Sequence, residues 1–251
     1  MTIIEQVRKK QPLIHHLTNQ VVMNFTANGL LAFGGSPIMA KEKAEAKNMA
    51  AIASGVLINI GTIVEPDIDA MVIAGQTANE RGIPVVLDPV GVAATPYRQE
   101  VIQTLLKKVQ FTAIKGNAGE MAHLVGVAWE TKGVESIDDD LNKLEQIALQ
   151  VAEKYRTIAV VTGEMDVISE NGKTRINKTG HEYLTKITGA GCLLGSIVTA
   201  CLTVDEPKMD AAYEAVRFYG QAAEQAAKRN DVFGTGTFLP HFIDALGGPS
   251  C

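Results

Sequence analysis

The chain has 251 residues, of which 46% are hydrophobic, 20% charged and only 5% aromatic. That balance excludes a disordered or fibrous chain and leaves enough length to bury a sizeable core, as one large α/β domain or two small ones. A net charge of −5 argues against nucleic acid or an anionic membrane as partner, although backbone dipoles can still hold a small anion.

Three cysteines, Cys192, Cys201 and Cys251, are odd in number and form no C-x-x-C pair, which speaks against a disulfide framework or structural zinc and for the cytoplasm. The first ten residues carry charge without a long apolar core, so no signal peptide is expected. No apolar run reaches the ~18 residues of a membrane span.

In chain order, Ile3–Lys10 is predicted to be a short helix closed by Pro12. The neighbours His15 and His16 point to opposite sides of any strand or helix, so they do not make the i, i+4 pair of a zinc helix. Asn19 is expected to N-cap a helix over Val21–Phe33. Gly34-Gly35-Ser36-Pro37 then turns into a short strand at Ile38–Ala40, with Met39 at its end. An Ala-rich helix over Lys41–Ser54 leads to Val56–Ile60, an apolar run typical of a strand buried on both faces. After a helix at Pro66–Arg81, the stretch Ile83–Gly91 is a buried strand ending in an acid, Asp88. Ligands of open parallel sheets bind off the carboxyl ends of the strands, so Asp88 is a candidate for metal or proton chemistry as well as for capping the next turn.

Tyr97–Val109 is the next predicted helix and Phe111–Lys115 the next strand, again charged at its carboxyl end. Gly116–Glu120 opens another helix and sets Glu120 on its first turn, near the same rim. The helix dipole alone accounts for an acid there. Two rim acids beside a glycine-rich turn, however, point to a magnesium ion, Mg2+, which often takes carboxylates through water together with substrate phosphate. An amphipathic helix over Asp138–Lys154 is predicted to begin with a capping box at Ser136–Asp139. Thr157–Gly163 is a buried strand with Thr162 at the rim, and Asp166–Ile176 a hairpin turned at Asn171-Gly172. A further hairpin strand is expected at Glu182–Lys186, and helices at Cys192–Leu202, Pro207–Arg229 and Thr235–Leu246 complete the chain. No linker or repeat divides residues 1–251, which therefore read as one three-layer α/β domain with a mainly parallel central sheet flanked by helices.

The stretch Lys186–Ser196 holds the densest chemical signal. Gly189 and Gly191 permit a tight turn and close approach of a ligand to the backbone. The helix that follows offers free N–H groups, which attract phosphate and developing negative charge. A thiol at Cys192 is expected to be acidified there. The plainer reading is a strand-to-helix connection with a small buried cysteine. The spacing G-x-G-x-x-x-G fits neither the P-loop nor the dinucleotide fingerprint.

Four segments carry a joint pattern: Val86–Gly91, Lys115–Glu120, Val160–Gly163 and Thr188–Cys192. Together they resemble the ribokinase-like kinases of small alcohols, in which an N-x-x-E element organises magnesium and phosphate and a G-A-G-D turn supplies an anion hole and a catalytic aspartate. Here the two elements are Asn117-Ala118-Gly119-Glu120 and Gly189-Ala190-Gly191-Cys192, with cysteine where aspartate is expected. That departure, with His16-Leu17-Thr18-Asn19, Ser36–Met39, Ile58–Thr62 and Gly236–Pro240, makes nearly the whole chain similar to the hydroxyethylthiazole kinase family.

The resemblance implies transfer of the γ-phosphoryl group of ATP to the primary hydroxyl of 4-methyl-5-(2-hydroxyethyl)thiazole in thiamine salvage. It implies that Lys115 and Thr162 contact ATP, that Met39 and Gly189 contact the thiazole, and that Gly189, Ala190, Gly191 and Cys192 form the anion hole. It further implies magnesium held by Asp88 and Glu120, Cys192 as the catalytic residue beside the substrate hydroxyl, and a homotrimer with sites between subunits. Three rivals remain: another enzyme of the fold, acting on a different heteroaromatic alcohol or as an ADP-dependent hydro-lyase; a thiol hydrolase pairing Cys192 with His15, His16 or His181; and a non-catalytic nucleotide-binding module.

Overall fold

The computed structural model describes residues 1–129 and 137–248. The chain opens with α1 (Ile3–Lys10), whose start is closed by a capping box between Thr2 and Glu5. β1 (Leu13–Leu17) carries both early histidines, a polar pair that disguises a strand buried along most of its length. α2 (Met23–Phe33) is N-capped by Val22, with no side-chain bond. Asn19 is therefore not the cap, and its amide is used elsewhere.

β2 (Ser36–Ile38) lies two residues earlier than predicted, so Met39 follows the strand instead of lying within it. The chain continues as α3 (Lys43–Ile52), β3 (Gly55–Asn59), α4 (Glu65–Glu80), β4 (Val85–Asp88), α5 (Pro96–Lys108), β5 (Ala113–Asn117), α6 (Ala118–Val125), α7 (Ile137–Tyr155) and β6 (Ile158–Thr162). β7 (Asp166–Glu170) and β8 (Lys173–Asn177) form the predicted hairpin, turned at Asn171 and Gly172, both at positive φ. α8 (Ala190–Cys201), α9 (Lys208–Ala227) and α10 (Thr235–Leu246) follow.

Glu182–Lys186 is a 3-10 helix, not the predicted strand. Local side-chain bonds decide it: Tyr183 N donates to His181 Nδ1, Thr185 Oγ1 donates to Glu182 O, and Lys186 pairs with Glu182 at 2.6 Å. The capping box expected at Ser136–Asp139 lies outside the described residues, as does Cys251. Cys192 and Cys201 are free thiols.

The strands form one eight-stranded sheet in the order β2-β1-β3-β4-β5-β6-β7-β8. β1 to β6 run parallel to one another, and β7 is antiparallel to both β6 and β8. Pro37 is tolerated because β2 is an edge strand, where a missing N–H leaves no ladder bond unmade. Successive strand side chains face opposite ways. Leu57 and Val86 join a core beneath α1, α2, α8, α9 and α10, while Val56, Ile58 and Leu87 join one beneath α3 to α7. The result is the three-layer α/β arrangement with a mainly parallel sheet. Among the described residues no helix is long and apolar enough to cross a membrane.

The register prepares a site. Asn59 pairs with Asp88, and Asn117 with Thr162, so four polar residues finish four neighbouring strands at the same edge of the sheet. α8 packs across β1, β3 and β4 with its N-terminus at that edge.

Candidate active site

Asp88 ends β4 fully buried, and its two carboxylate oxygens have different partners. Oδ1 lies 3.3 Å from the Lys115 ammonium, and Oδ2 accepts a 2.8 Å bond from Asn59 Nδ2. Burial pushes its pKa up to about 6, with Lys115 opposing the rise and Glu120 adding to it. Burial also works against the Lys115 charge, yet Asp88, Glu120 and Cys192 together hold that ammonium above its ordinary pKa. Above pH ~6 the two therefore stand as carboxylate and ammonium.

α8 begins at Ala190, which places Cys192 in its first turn. Its N-cap, Gly189, sits at φ 91° and provides no side-chain acceptor, so the first N–H groups stay free for a ligand. A Cβ at Gly189 would also meet Val22 Cγ1 at 2.6 Å, and one at Gly191 would lie 3.2 Å from Lys115 Nζ. The ammonium thus lies directly against the backbone of the turn. Helix dipole and buried cation act in the same direction, toward holding an anion at Gly189–Cys192. Gly189→Ala is expected to cost about 1–2 kcal/mol through left-handed strain. A similar misfit at the turn would lower kcat roughly tenfold. Urea unfolding alongside steady-state turnover checks both.

Cys192 is half-buried, with Sγ 3.3 Å from Asn59 Nδ2 and 3.5 Å from Asn19 Nδ2. The expected acidification does not occur. Burial pushes the thiol up and the Asp88 charge adds to it, outweighing Lys115 and the two amide donors. The thiol is neutral at physiological pH. Nor does a histidine activate it. His16 bonds Ile14 O and Ser196 Oγ, His15 bonds Ala40 O, and His181 Nδ1 accepts from Tyr183 N. This geometry counts against the thiol-hydrolase reading.

Glu120 ties two loops together. Its Oε2 accepts from Asn117 N at 2.8 Å within a reciprocal capping box, and its Oε1 accepts from Gly91 N at 2.8 Å, just beyond β4. Among the described residues, no three or more His, Cys, Asp or Glu side chains are grouped to cage a metal ion. Two hard carboxylates beside an anion-holding turn do suit magnesium, which keeps several waters and takes the rest of its ligands from phosphate.

A cavity of about 780 Å3 opens beside the turn, lined by Thr162, Asp166, Gly191, Leu194, Val216 and Tyr219 among others. Thr162 Oγ1 donates to Gly116 O at 3.3 Å on its wall. Of the residues predicted to meet ATP, Thr162 reaches this cavity, whereas Lys115 lies behind Gly191. A larger cleft, about 1160 Å3, opens around Pro84, Thr112 and Ile158 at the opposite strand ends and contains none of the predicted site residues. The carboxyl-end cavity has the chemistry.

Residues 4–248 match the hydroxyethylthiazole kinase family. The chain belongs to that family. Hydroxyethylthiazole kinase 1 of Oceanobacillus iheyensis is 57% identical over 244 residues, 97% of this chain and 94% of that protein. The solved structure of a hydroxyethylthiazole kinase protein from Pyrococcus horikoshii OT3 matches with a TM-score of 0.88 at 36% identity, covering 98% of this chain and 91% of the other. A ribokinase-like superfamily protein from Enterococcus faecalis shares the fold at a TM-score of 0.64 and 12% identity, over 96% and 90% of the two chains. The fold is ribokinase-like, and the chain is a kinase.

The sequence reading missed two residues of this candidate cluster. Asn19 Nδ2 donates to Asn59 Oδ1 at 2.9 Å, and both amides reach Cys192. Asn59 carried a usable signal, because a polar residue closes an apolar strand there just as Asp88 does in β4. Met39 is not brought to this cluster. It follows the edge strand, three strand positions from Asp88, about 14 Å at ordinary strand spacing.

Proposed function

We propose that this chain transfers the γ-phosphoryl group of ATP to the primary hydroxyl of hydroxyethylthiazole, forming the thiazole phosphate used in thiamine salvage. The observation that carries the reading is the uncapped turn Gly189–Cys192, backed by the Lys115 ammonium and opening onto the 780 Å3 cavity. In the reaction a P–O bond forms to the substrate hydroxyl and the bond to the bridging oxygen of ADP breaks. The hydroxyl proton leaves late, because the transition state is loose and positioning and charge supply most of the rate.

ATP occupies the cavity with Thr162 at its phosphate end, and the charge of Lys115 acts through the turn. Asp88 and Glu120 would hold magnesium, directly or through water, and there it would offset charge on the phosphates. Met39 and Gly189 contact the thiazole. The distance of Met39 from the residues under α8 supports a thiazole site completed between subunits of a homotrimer. Val21 and Val64, exposed by 68% and 52%, lie on loops joined by the bond from Gln20 N to Thr62 Oγ1 and give that rim an apolar surface for a second copy. The unbroken sheet supports reading residues 1–251 as one kinase domain, and two free thiols suit the cytoplasm.

The deciding experiment measures ADP release from Mg-ATP with hydroxyethylthiazole and, separately, with hydroxymethylpyrimidine. Thiazole-dependent release, with thiazole phosphate identified by mass, supports the assignment. Stimulation by neither alcohol in protein that binds ATP overturns it in favour of the hydro-lyase or binding-module readings. Cys192 is neutral and so shapes the site rather than serving as a strong base. Cys192→Ala and Cys192→Ser are accordingly expected to keep turnover within roughly tenfold of the unaltered protein. Abolished turnover in a folded variant would make the thiol indispensable.

A further inference from the structure

A turn that holds a transferring phosphoryl group must keep its N–H groups aimed, and at Gly189–Cys192 the helix supplies a first bond, from Leu193 N to Gly189 O at 2.9 Å, but no side-chain cap. Gly189 offers no capping side chain and Gly191 has none to pack. Further support comes from outside. Val22 and Phe25 press on Gly189 from one flank. From the other, α9 presents Tyr219, whose hydroxyl donates a 2.7 Å hydrogen bond to the carbonyl oxygen of Ala190.

The place of that bond matters. The Ala190 carbonyl and the Gly191 N–H belong to one planar peptide unit and point in opposite directions. Fixing the oxygen fixes the direction of the N–H, and a hydrogen bond at the carbonyl polarises the same unit so that its N–H becomes a better donor. Tyr219 is well suited to the task. It is 3% exposed, its ring stands edge-on to Phe242 with centroids 5.0 Å apart, and it lines the cavity beside Gly191 and Leu194. Burial pushes the phenol well above its ordinary range, so it remains a donor across the working pH.

We propose that Tyr219 is a positioning residue for phosphoryl transfer, its hydroxyl holding the Ala190–Gly191 peptide so that the Gly191 N–H faces the transferring group. The inference rests on the anion-hole reading of the turn. Tyr219→Phe keeps the ring and removes only the hydroxyl.

The test compares kcat, both KM values, and the affinities for Mg-ADP alone and for Mg-ADP with aluminium fluoride, a mimic of the transferring group. The expected result is a fall in kcat of about tenfold or more, a parallel loss of affinity for the aluminium fluoride complex, and unchanged KM values and Mg-ADP affinity. A merely structural hydroxyl would weaken Mg-ADP and its aluminium fluoride complex equally, or leave kcat unaltered, and either outcome overturns the proposal. Because Mg-ADP affinity reports the fold, the ratio of the two affinities remains decisive even if the variant is less stable. Absence of thiazole-dependent turnover in the unaltered protein is a separate result, which would remove the functional reading and this inference with it.

Discussion

Asp88→Asn is expected to lower kcat by about a thousandfold, the scale seen when one preorganised electrostatic group is lost from a transition state, while the protein still folds. Breaking a buried ion pair usually destabilises by about 3–5 kcal/mol. The pair here is unusual, because burial raises the Asp88 pKa to about 6. Relative to an exposed carboxylate, the ionised form at neutral pH therefore opposes folding. Asparagine has the same shape and carries none of that burden, but its single carbonyl oxygen can accept from Lys115 or from Asn59 and not from both, so one of the two donors loses its bond. The rise is already net of the Lys115 attraction, so losing the charge offsets part of the cost of that unmet bond. Thermal unfolding and turnover measured on the same preparation check the balance. Near-native stability with collapsed turnover would show that the fold tolerates this charge for the chemistry. A variant with full activity would remove Asp88 from the site, and one that cannot fold would make the ion pair primarily structural.

What could be read from the sequence follows the range of the forces involved. Apolar strands ending in a polar residue are visible locally, so Asp88, Thr162 and the parallel sheet were legible. Asn59 obeyed the same rule and was passed over. β1 was obscured because His15 and His16 look polar, although both rings are buried and bonded. Asn19 was read as a cap from its neighbours, yet its partners Asn59 and Cys192 lie 40 and 173 residues away. The Cys192 error has the same origin. The helix dipole is a local feature, whereas the burial and the Asp88 charge that outweigh it arise only when α8 crosses β3 and β4. At Glu182–Lys186 the reverse held, and short side-chain bonds overrode the strand pattern. Tyr219 carries no local mark, since its target is the α8 turn 29 residues earlier.

Acid is expected to weaken the fold through His16. Its ring is fully buried in β1, with Nδ1 2.9 Å from Ile14 O and Nε2 2.7 Å from Ser196 Oγ. The carbonyl can only accept, which assigns the proton to Nδ1 and leaves Nε2 to accept from the serine hydroxyl. Burial lowers the His16 pKa to about 4, against partial opposition from the Ile14 and Ile38 carbonyls. In the unfolded chain the ring takes its proton near pH ~6.5. Its contribution to stability is therefore fully present above that value and is lost as pH falls toward about 4, a change of about 3 kcal/mol. Asp88 and Asp166 act in the opposite sense. Burial raises both to about 6, so each binds a proton in the folded state first and adds stability over part of the same interval. The pH profile of the unaltered protein alone mixes these effects. His16→Gln separates them, because a neutral amide replaces the ring and the two acids stay in place. Urea unfolding of both proteins at pH ~7.5 and ~4 should show the advantage of histidine over glutamine shrinking by about 3 kcal/mol at the lower pH. Ser196 lies one helical turn after Cys192, and when His16 charges, its Nε2 becomes the donor and the bond to Ser196 Oγ reverses direction. A difference between the two proteins that did not vary with pH would mean that the ring charges in the folded state as freely as in the unfolded one.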